Sequence, residues 1–481
     1  MRFNWRVASI SRLANKEWKL EINFVYPSPS RRVTVLYDKL VLATGLTSEP
    51  NMPVIAGLDW TAGSTSHNIH AKDVGKYCRD HLGYHPVPDK FSEKKGKIVE
   101  VETRQKQQPL RSVAIYGANK SSFDFVHLFA SLHRGLPGQH MNVVSAVTRK
   151  RALDPLNPCL NELPKKVTLV PCSNRWGWTI HIEGSWSRRL IHGNPLGRLW
   201  LRRVWESSAR NMINAASILD CGPAIGVANH ANFWDTIRAS NVHFHRSSIS
   251  AILEGRGDTV VHLSNSERIH SVDLVVHATG WKPAVPVRFE PTSLGVSLGL
   301  SCRILSSNKC IHDGANARYW HELDAATESR LRRIHKKIIT PSMSVPSGDF
   351  SPYRLFRRMV SPALAADGDR SFAVTGIVLS STVAVVAEVQ ALWVAAFLTV
   401  ALDGDVPIWT RISDDVVWGN ITGVGLNVDA IHYNDMLLQD LGLDPHRMGG
   451  HFWSEMSAIY GPSAYAGIVE EWLEMRARRS G

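Results

Sequence analysis

A glycine-containing turn between a strand and a helix is the segment of this sequence best suited to hold a charged ligand. The apolar run Ser112–Tyr116 leads into Gly117-Ala118-Asn119-Lys120-Ser121-Ser122, and helical apolar spacing follows the turn. The free N–H groups and positive dipole at a helix N-terminus bind phosphate oxygens. Gly117 permits the tight turn, and the hydroxyls of Ser121 and Ser122 add possible donors. The segment therefore predicts a pyrophosphate site.

This turn departs from the Gly-x-Gly-x-x-Gly fingerprint of dinucleotide-binding folds. Asn119 stands at the second glycine position and Ser122 at the third, so the motif alone is weak. The strand before the turn and the helix after it strengthen the assignment. After the next expected strand come Thr148 and Arg149, where an NAD site would carry an acidic residue. A basic residue there accommodates a 2′-phosphate. We therefore expect NADPH rather than NADH, with a solvated strand end as the alternative.

A second feature is a nine-residue segment that occurs twice, as Tyr37–Gly45 and as Val272–Gly280. The Asp, one Val, and the final Ala-Thr-Gly are identical in both copies. An apolar run of this kind is typical of a buried parallel strand, and the final glycine lets the backbone approach a ligand closely. The candidate binding residues at these strand ends are Ala43, Thr44, Gly45, Thr279, Gly280 and Trp281.

The repeat is longer than nine residues and predicts the fold class. Each copy ends a meander of short strands, roughly forty residues in all. The second copy also has the strand–turn–helix front half of a dinucleotide fold, whereas the chain starts at the meander of the first copy. We expect an α/β protein with two Rossmann-like domains. The second should be complete and inserted in the first, whose front half is missing from this chain.

Composition limits the function classes. The chain has 481 residues, a formal net charge of +12, 44% hydrophobic and 20% charged residues, as in ordinary globular proteins. Its basic clusters fit solvated surface and phosphate-bearing cofactors better than nucleic acid, because no recognised binding module accompanies them. The six cysteines form no CxxC pair, so we expect neither structural zinc nor a disulfide framework. With no apolar signal-peptide core near Met1, a cytoplasmic location is expected.

The apolar stretch Phe372–Val400 has two interpretations. It is long enough to suggest a membrane span, but Glu388 and Gln390 lie near its middle. A charged residue near the bilayer centre costs roughly 2.5–3.5 kcal/mol. We therefore predict a buried strand, a turn and a core helix over Ala384–Val400, and no membrane association.

The order of these segments resembles the FAD-dependent, NADPH-using class B monooxygenases, which include flavin-containing monooxygenases and Baeyer–Villiger enzymes. The similarity is greatest to a fungal branch of specialised metabolism. It extends over nearly the whole chain, and residues 151–200 are the least similar. Further segments that carry it are Tyr353–Arg357, Pro362–Arg370, Glu388–Trp393, Asp440–Leu443 and Glu470–Trp472.

A family linker motif is partly present. The motif has the form Phe-x-Gly-x-x-x-His followed by an aromatic residue, and Gly63 and His67 match it. Thr61 replaces the phenylalanine and Ala71 the later aromatic residue. The resemblance implies that this segment links the domains and helps to place the nicotinamide. A structural role for His67 is the alternative.

The resemblance implies a division of the chain. Residues 1–110 would form the back half of a FAD domain plus a linker. Residues 111–284 would form an NADP domain with a helical elaboration, and 285–481 would return to the FAD domain and end in a helical tail.

The resemblance also implies a reaction, in which NADPH and FAD act with O2 to oxygenate a hydrophobic small molecule, for example in a polyketide-like pathway. The cofactors carry the chemistry, so no catalytic side chain and no metal are assigned. Two alternatives stay open, because no glycine-rich FAD turn precedes the first repeat. One is a non-catalytic or impaired relative that binds NADP(H) or a partner. The other is a flavin or nicotinamide oxidoreductase without oxygen insertion. Substrate and oligomeric state are not determined by the sequence.

Overall fold

A computed structural model gives the fold of the residues that it describes. Those residues are 5–24, 32–58, 68–82, 110–117, 120–131, 142–147, 194–197, 199, 203, 235–236, 239–254, 259–282, 284–301, 353–378, 380, 383–402, 428, 430–451, 454–455 and 460–480.

The described chain contains both strands and helices, and most of the strands precede most of the helices. The strands are β1 (Trp5–Arg12), β2 (Trp18–Phe24), β3 (Arg32–Tyr37), β4 (Leu40–Leu42), β5 (Asn68–His70), β6 (Ser112–Tyr116), β7 (Asn142–Val147), β8 (Val242–Arg246), β9 (Ile249–Glu254), β10 (Thr259–Leu263), β11 (Arg268–Ile269), β12 (Leu274–His277), β13 (Arg288–Glu290) and β14 (Phe372–Val374). The α-helices are α1 (Val74–Leu82), α2 (Lys120–Ser131), α3 (Thr292–Ser297), α4 (Pro362–Ala366), α5 (Val383–Leu398), α6 (Ala430–Asp440) and α7 (Ile468–Ser480).

The chain divides into two compact units. The first contains Met1–Glu49, Lys165–Glu206 and Lys282–Gly481, and the second contains Pro50–Pro164 and Ser207–Trp281. Both units are therefore discontinuous in sequence, and the chain passes between them more than once. Residues 50–110, which the sequence assigns to the first domain, group with the second unit.

The first unit contains the predicted N-terminal meander. Strands β1, β2 and β3 pair in antiparallel order, and β13 joins β1 in parallel. Trp18, Leu20 and Ile22 alternate toward the core, whereas Lys19 and Glu21 lie on the other face. This period of two is the signature of a sheet with one buried face. The predicted strands of this region are confirmed.

The stretch Phe372–Val400 forms strand β14 and helix α5, as predicted. In α5 the side chains of Val386, Val389 and Trp393 are fully buried, and Glu388 lies on the exposed side. The helix is apolar on several sides because it is a core helix. Within the placed residues, no helix has the length and apolarity that crossing a bilayer requires.

The second unit is built on a five-stranded parallel sheet in the order β5-β12-β6-β7-β8. Alternate residues of β6 face opposite sides. Val113 and Ile115 pack with the helices, and Ala114 and Tyr116 pack with the meander β9-β10-β11. Both faces of the sheet are covered, which explains why its strands are continuous apolar runs.

The second meander is also confirmed. Strands β9, β10 and β11 pair in antiparallel order before the chain enters β12, so both copies of the repeat have a meander followed by a parallel strand. The predicted linker over residues 86–111 and most of the predicted elaboration over residues 154–245 lie outside the described residues. The α/β fold class is confirmed.

Candidate functional site

The parallel sheet of the second unit has a topological switch point between β6 and β12. From β6 the chain proceeds to β7 and β8 on one side, whereas β12 and β5 lie on the other side. The chain continues from β6 to β7, on the side away from β12, and leaves the sheet after β12. In doubly wound folds a crevice lies outside the carboxyl ends of the strands at such a point. Ligands of doubly wound folds bind in this crevice. Gly117 follows β6 and Ala278 follows β12, so the sequence-predicted residues meet at this point.

Gly117 has the conformation and the surroundings that exclude a side chain. Its φ is +153°, and a Cβ built on it would lie 2.4 Å from the carbonyl oxygen of Ala278. The Ala278 N–H donates to the Tyr116 carbonyl at 2.8 Å. The ends of β6 and β12 are thus held in backbone contact, which only glycine allows.

Helix α2 begins directly after this turn, at Lys120. Ser121 is exposed in its first turn, whereas Ser122 is 1% exposed and is hydrogen-bonded within the protein. The helix N-terminus provides N–H donors for an anion. Ser121 is therefore the hydroxyl better placed to meet a ligand, and Ser122 serves packing.

The segment after β12 is held by several hydrogen bonds. The Thr279 hydroxyl donates to the Asn51 carbonyl at 2.6 Å, and the Asn51 N–H donates to the Gly280 carbonyl at 3.0 Å. Gly280 itself has φ +84° and is exposed, and a Cβ on it would meet no described atom within 4 Å. Thr279 therefore shapes the backbone, whereas Gly280 leaves space for a flat group.

His70, at the end of β5, also contacts this segment. Its Nδ1 accepts the Lys72 N–H at 3.1 Å, so Nε2 carries the proton and donates to the Gly280 carbonyl at 3.3 Å. Burial lowers the pKa of His70, which keeps the ring neutral near pH 7. The Trp281 ring packs edge-on against the imidazole, with centroids 5.2 Å apart. His70 is a functional candidate that the sequence pattern did not indicate.

The first unit has a comparable strand end where β4 and β14 pair in parallel. The Thr375 N–H donates to the Leu42 carbonyl at 2.8 Å and extends the pairing past both strands. Gly45 (φ +65°) and Gly376 (φ +71°) follow, and a Cβ on Gly45 would lie 3.9 Å from the Gly376 carbonyl oxygen. Two left-handed glycines therefore lie together at this end, which we call the β4–β14 edge.

The β4–β14 edge fits a flat cofactor. Ala43 is exposed, and Thr44 and Gly45 are partly exposed. A Cβ on Gly376 would meet no described atom within 4 Å, so its Cα surface is accessible. Both glycines adopt a backbone that L side chains rarely take. The accessible backbone of these residues and the Thr44 hydroxyl suit a planar group with polar edges better than a metal ion.

The sequence could have indicated Gly376. Thr375-Gly376 follows the buried strand β14, and the preceding Ala373-Val374 makes this end similar to the two Ala-Thr-Gly copies, with a valine inserted before the threonine. The other predicted site residues Gly63, His67, Asn119, Thr148 and Arg149 lie outside the described residues.

Sequence comparison identifies relatives across nearly the whole chain. The FAD-dependent monooxygenase avaB of Aspergillus versicolor is 40% identical, over 99% of this chain and 78% of the relative. The FAD-dependent monooxygenase rstn6 of Aspergillus nomiae NRRL is 28% identical, over 91% of this chain and 75% of the relative. No protein-family model matches the chain.

Solved structures share less similarity. Tmm from a Pelagibacter strain aligns with a TM-score of 0.40 at 10% identity, over 91% of this chain and 59% of that protein. The polycyclic ketone monooxygenase from Thermothelomyces thermophila aligns with a TM-score of 0.34 at 12% identity, over 58% of this chain and 47% of that protein. Both TM-scores are below 0.5, so the family assignment depends on the sequence relatives.

The parallel sheet and its glycine-lined switch point define an α/β protein of the doubly wound class. The 40% identity over 99% of the chain shows the family: the protein belongs to the fungal FAD-dependent monooxygenases. The predictions of an oxidoreductase, of FAD as a cofactor and of the monooxygenase family are thereby confirmed. NADP(H) is the nicotinamide cofactor typical of this class.

Proposed function

We propose that the enzyme holds FAD at the β4–β14 edge and NADP(H) at the β6–β12 switch point, and uses O2 to oxygenate a hydrophobic small molecule. One observation supports this best: in each unit, a pair of parallel strands is followed by glycines that have a left-handed backbone or leave no room for a side chain. Gly45 and Gly376 do so in the first unit, and Gly117 and Gly280 in the second. Two nucleotide cofactors need two such edges.

The discontinuous first unit supports its assignment as the FAD domain. Strand β4 comes from the N-terminal part of the chain and β14 from the C-terminal part, and they pair only after the second unit has been passed. A FAD domain whose sequence is interrupted by an NADP domain would bring its two ends together in this way. Ala43, Thr44 and Gly45 would then line the FAD site from one strand, and Gly376 from the other.

The second unit would hold the nicotinamide cofactor through the N-terminus of α2. Gly117, Asn119 and Ser121 would lie along the pyrophosphate, and the hydroxyl of Thr148 and the cationic Arg149 would favour the 2′-phosphate of NADPH. Thr279, Gly280 and Trp281 would form the opposite wall, with Ser122 supporting the turn. Gly63 and His67 are proposed to place the nicotinamide.

When bound, NADPH supplies hydride and FAD transfers the electrons to O2. The protein then has to position both groups and exclude water from the reacting centre. No side-chain nucleophile is needed for this division of labour. A hydrophobic metabolite, of the polyketide-like kind, is proposed as the substrate on the strength of the family relationship.

The purified protein provides the test. We expect bound flavin absorbance and NADPH oxidation coupled to O2 uptake. Replacing Gly376 by Ala should weaken FAD binding by about tenfold or more, because a methyl group would occupy the ligand side of the edge. Gly368→Ala is the matched control, because Gly368 has φ +69° and is equally free of described neighbours, and it follows α4 away from both strand ends.

The outcomes separate the alternatives. Equal FAD affinity in the Gly376→Ala and Gly368→Ala variants would show that FAD lies elsewhere. Colourless protein that binds NADPH would indicate the impaired relative considered above. NADPH oxidation without O2 uptake would indicate an oxidoreductase that inserts no oxygen.

A further inference from the structure

A buried polar network leads from the β4–β14 edge into the helical core of the first unit. Gln390, on α5, is 0% exposed, and its Oε1 accepts the Gly376 N–H at 3.3 Å. Its Nε2 donates to the Tyr433 hydroxyl at 2.8 Å, and that hydroxyl donates to the Arg357 carbonyl at 2.6 Å. A buried polar amide of this kind costs free energy unless its partners are satisfied.

The hydrogen-bond directions in this network admit one arrangement. A backbone carbonyl only accepts, so Tyr433 must donate its single proton to Arg357. The Tyr433 oxygen must then accept from Gln390, which requires the amide nitrogen on that side. The Gln390 oxygen consequently faces Gly376, whose N–H only donates. The orientation of the amide is therefore fixed by residues that lie inside the core.

The far end of the network is anchored by an ion pair. Arg357 donates to both carboxylate oxygens of Asp440, from Nε at 2.8 Å and from Nη2 at 3.0 Å. Trp393 Nε1 donates to the same carboxylate at 3.0 Å. The fork-shaped pairing resists rotation of the guanidinium.

Arg357 has an unusual backbone as well. Arg357 (φ +50°) and Arg358 (φ +58°) are consecutive left-handed residues, and both are nearly fully buried. Left-handed backbone in a bulky residue persists only where the surroundings impose it, and such residues concentrate at functional sites. The turn that contains them, Phe356–Val360, accepts the Val374 N–H through the Met359 carbonyl at 2.7 Å. The strained turn therefore packs on β14 directly before Thr375 and Gly376.

We propose that Gln390, Tyr433 and Arg357 are positioning residues for FAD, which hold Gly376 in its left-handed conformation with its open surface toward the cofactor. This inference depends on the proposed FAD site at the β4–β14 edge. Without the Gln390 acceptor, the Gly376 N–H would need another partner, and the peptide would rotate into the ligand space. The network acts on the backbone and does not touch the reacting atoms.

The test compares two tyrosines that lie in the same hydrophobic core cluster. Tyr433→Phe removes the link between Gln390 and Arg357. Tyr460→Phe removes the hydrogen bonds that its hydroxyl makes to Glu455 and to the Arg447 N–H, and among the described residues neither partner is hydrogen-bonded to Gly376. Gln390→Met removes the acceptor itself at similar volume. FAD affinity is measured by titrating flavin-free protein, and the visible absorption spectrum of bound flavin is recorded for each variant.

We expect Gln390→Met to raise the FAD dissociation constant about tenfold or more, and Tyr433→Phe to raise it about threefold to tenfold. Both variants should also shift the absorption bands of the bound flavin. Tyr460→Phe should leave the FAD affinity and the spectrum unchanged, although all three variants lower the melting temperature. Unchanged FAD affinity and spectrum in Gln390→Met and Tyr433→Phe, or equal changes in Tyr460→Phe, would overturn the positioning role. Failure of the unmodified protein to bind FAD would instead overturn the proposed site and with it this inference.

Discussion

At the scale of single residues, the two units use glycine for different reasons. Gly117 is required by the protein itself, because a Cβ would lie 2.4 Å from the Ala278 carbonyl oxygen. Gly376 and Gly280 have no described neighbour at that position. Glycine is needed at these two positions for its left-handed backbone, and both lie at the strand ends where the cofactors are proposed to bind.

The fold strongly opposes protonation of His277. It is 0% exposed on β12, and burial, with a smaller contribution from His70, lowers its pKa to about 4. Above pH 6.5 both the folded and the unfolded chain hold it neutral. Below pH 6.5 the unfolded chain takes up a proton that the folded protein cannot, so stability falls until about pH 4.

We therefore predict that lowering the pH from 7 to 5 destabilises the protein by ~2 kcal/mol through this residue alone. In His277→Gln, which cannot titrate, the free energy of unfolding should depend less on pH by that amount. The measurement is denaturant unfolding at both pH values. His243→Gln is the control, because His243 lies exposed on β8. An unchanged pH dependence in His277→Gln would contradict the prediction.

At the scale of elements, polar contacts determine how α5, α6 and the Phe356–Val360 turn fit together. Trp393 on α5 and Arg357 in the turn both donate to Asp440 at the end of α6. The Trp393 ring stacks on Phe397 with an interplanar angle of 7° and centroids 5.6 Å apart. One carboxylate thus joins three elements inside an apolar core.

Loss of this carboxylate should be costly. Asp440→Asn would leave the Arg357 guanidinium buried without its counter-charge, and breaking such a pair costs about 3–5 kcal/mol. The matched control is Glu474→Gln in α7, because the Arg478–Glu474 pair is solvent-exposed at 3.4 Å and should contribute less than ~1 kcal/mol. Unfolding free energies of the two variants provide the comparison. Equal losses would show that burial does not strengthen the Arg357 pair.

At the scale of the whole molecule, the sequence predicted strands better than the contacts between distant segments. Strand Ser112–Tyr116 has the bounds of the predicted apolar run, because such a run is a local property of the sequence. The hydrogen bond from His70 to Gly280 joins residues 210 positions apart, and no local pattern encodes it. The sequence marks Gln390 only as a polar residue in an apolar stretch, because its partners lie on distant segments of the chain.

The two-unit organisation leads to a prediction about where each cofactor acts. Amide hydrogen exchange reports local opening, and a ligand slows exchange where it covers or fixes the backbone. FAD alone should protect the amides of Thr44, Gly45 and Gly376. NADP⁺ alone should protect Gly117 and Ser121 at the start of α2.

The assignment of the units depends on this separation. If NADP⁺ protected the β4–β14 edge and FAD the switch point, the cofactor assignment of the units would be reversed. Peptides from β2, which lies in the meander and carries no candidate site residue, serve as the internal control for general stabilisation. Protection confined to the two strand ends would show that the repeated Thr-Gly segments bind the two nucleotide cofactors. If the repeat were purely structural, neither FAD nor NADP⁺ would change amide exchange there.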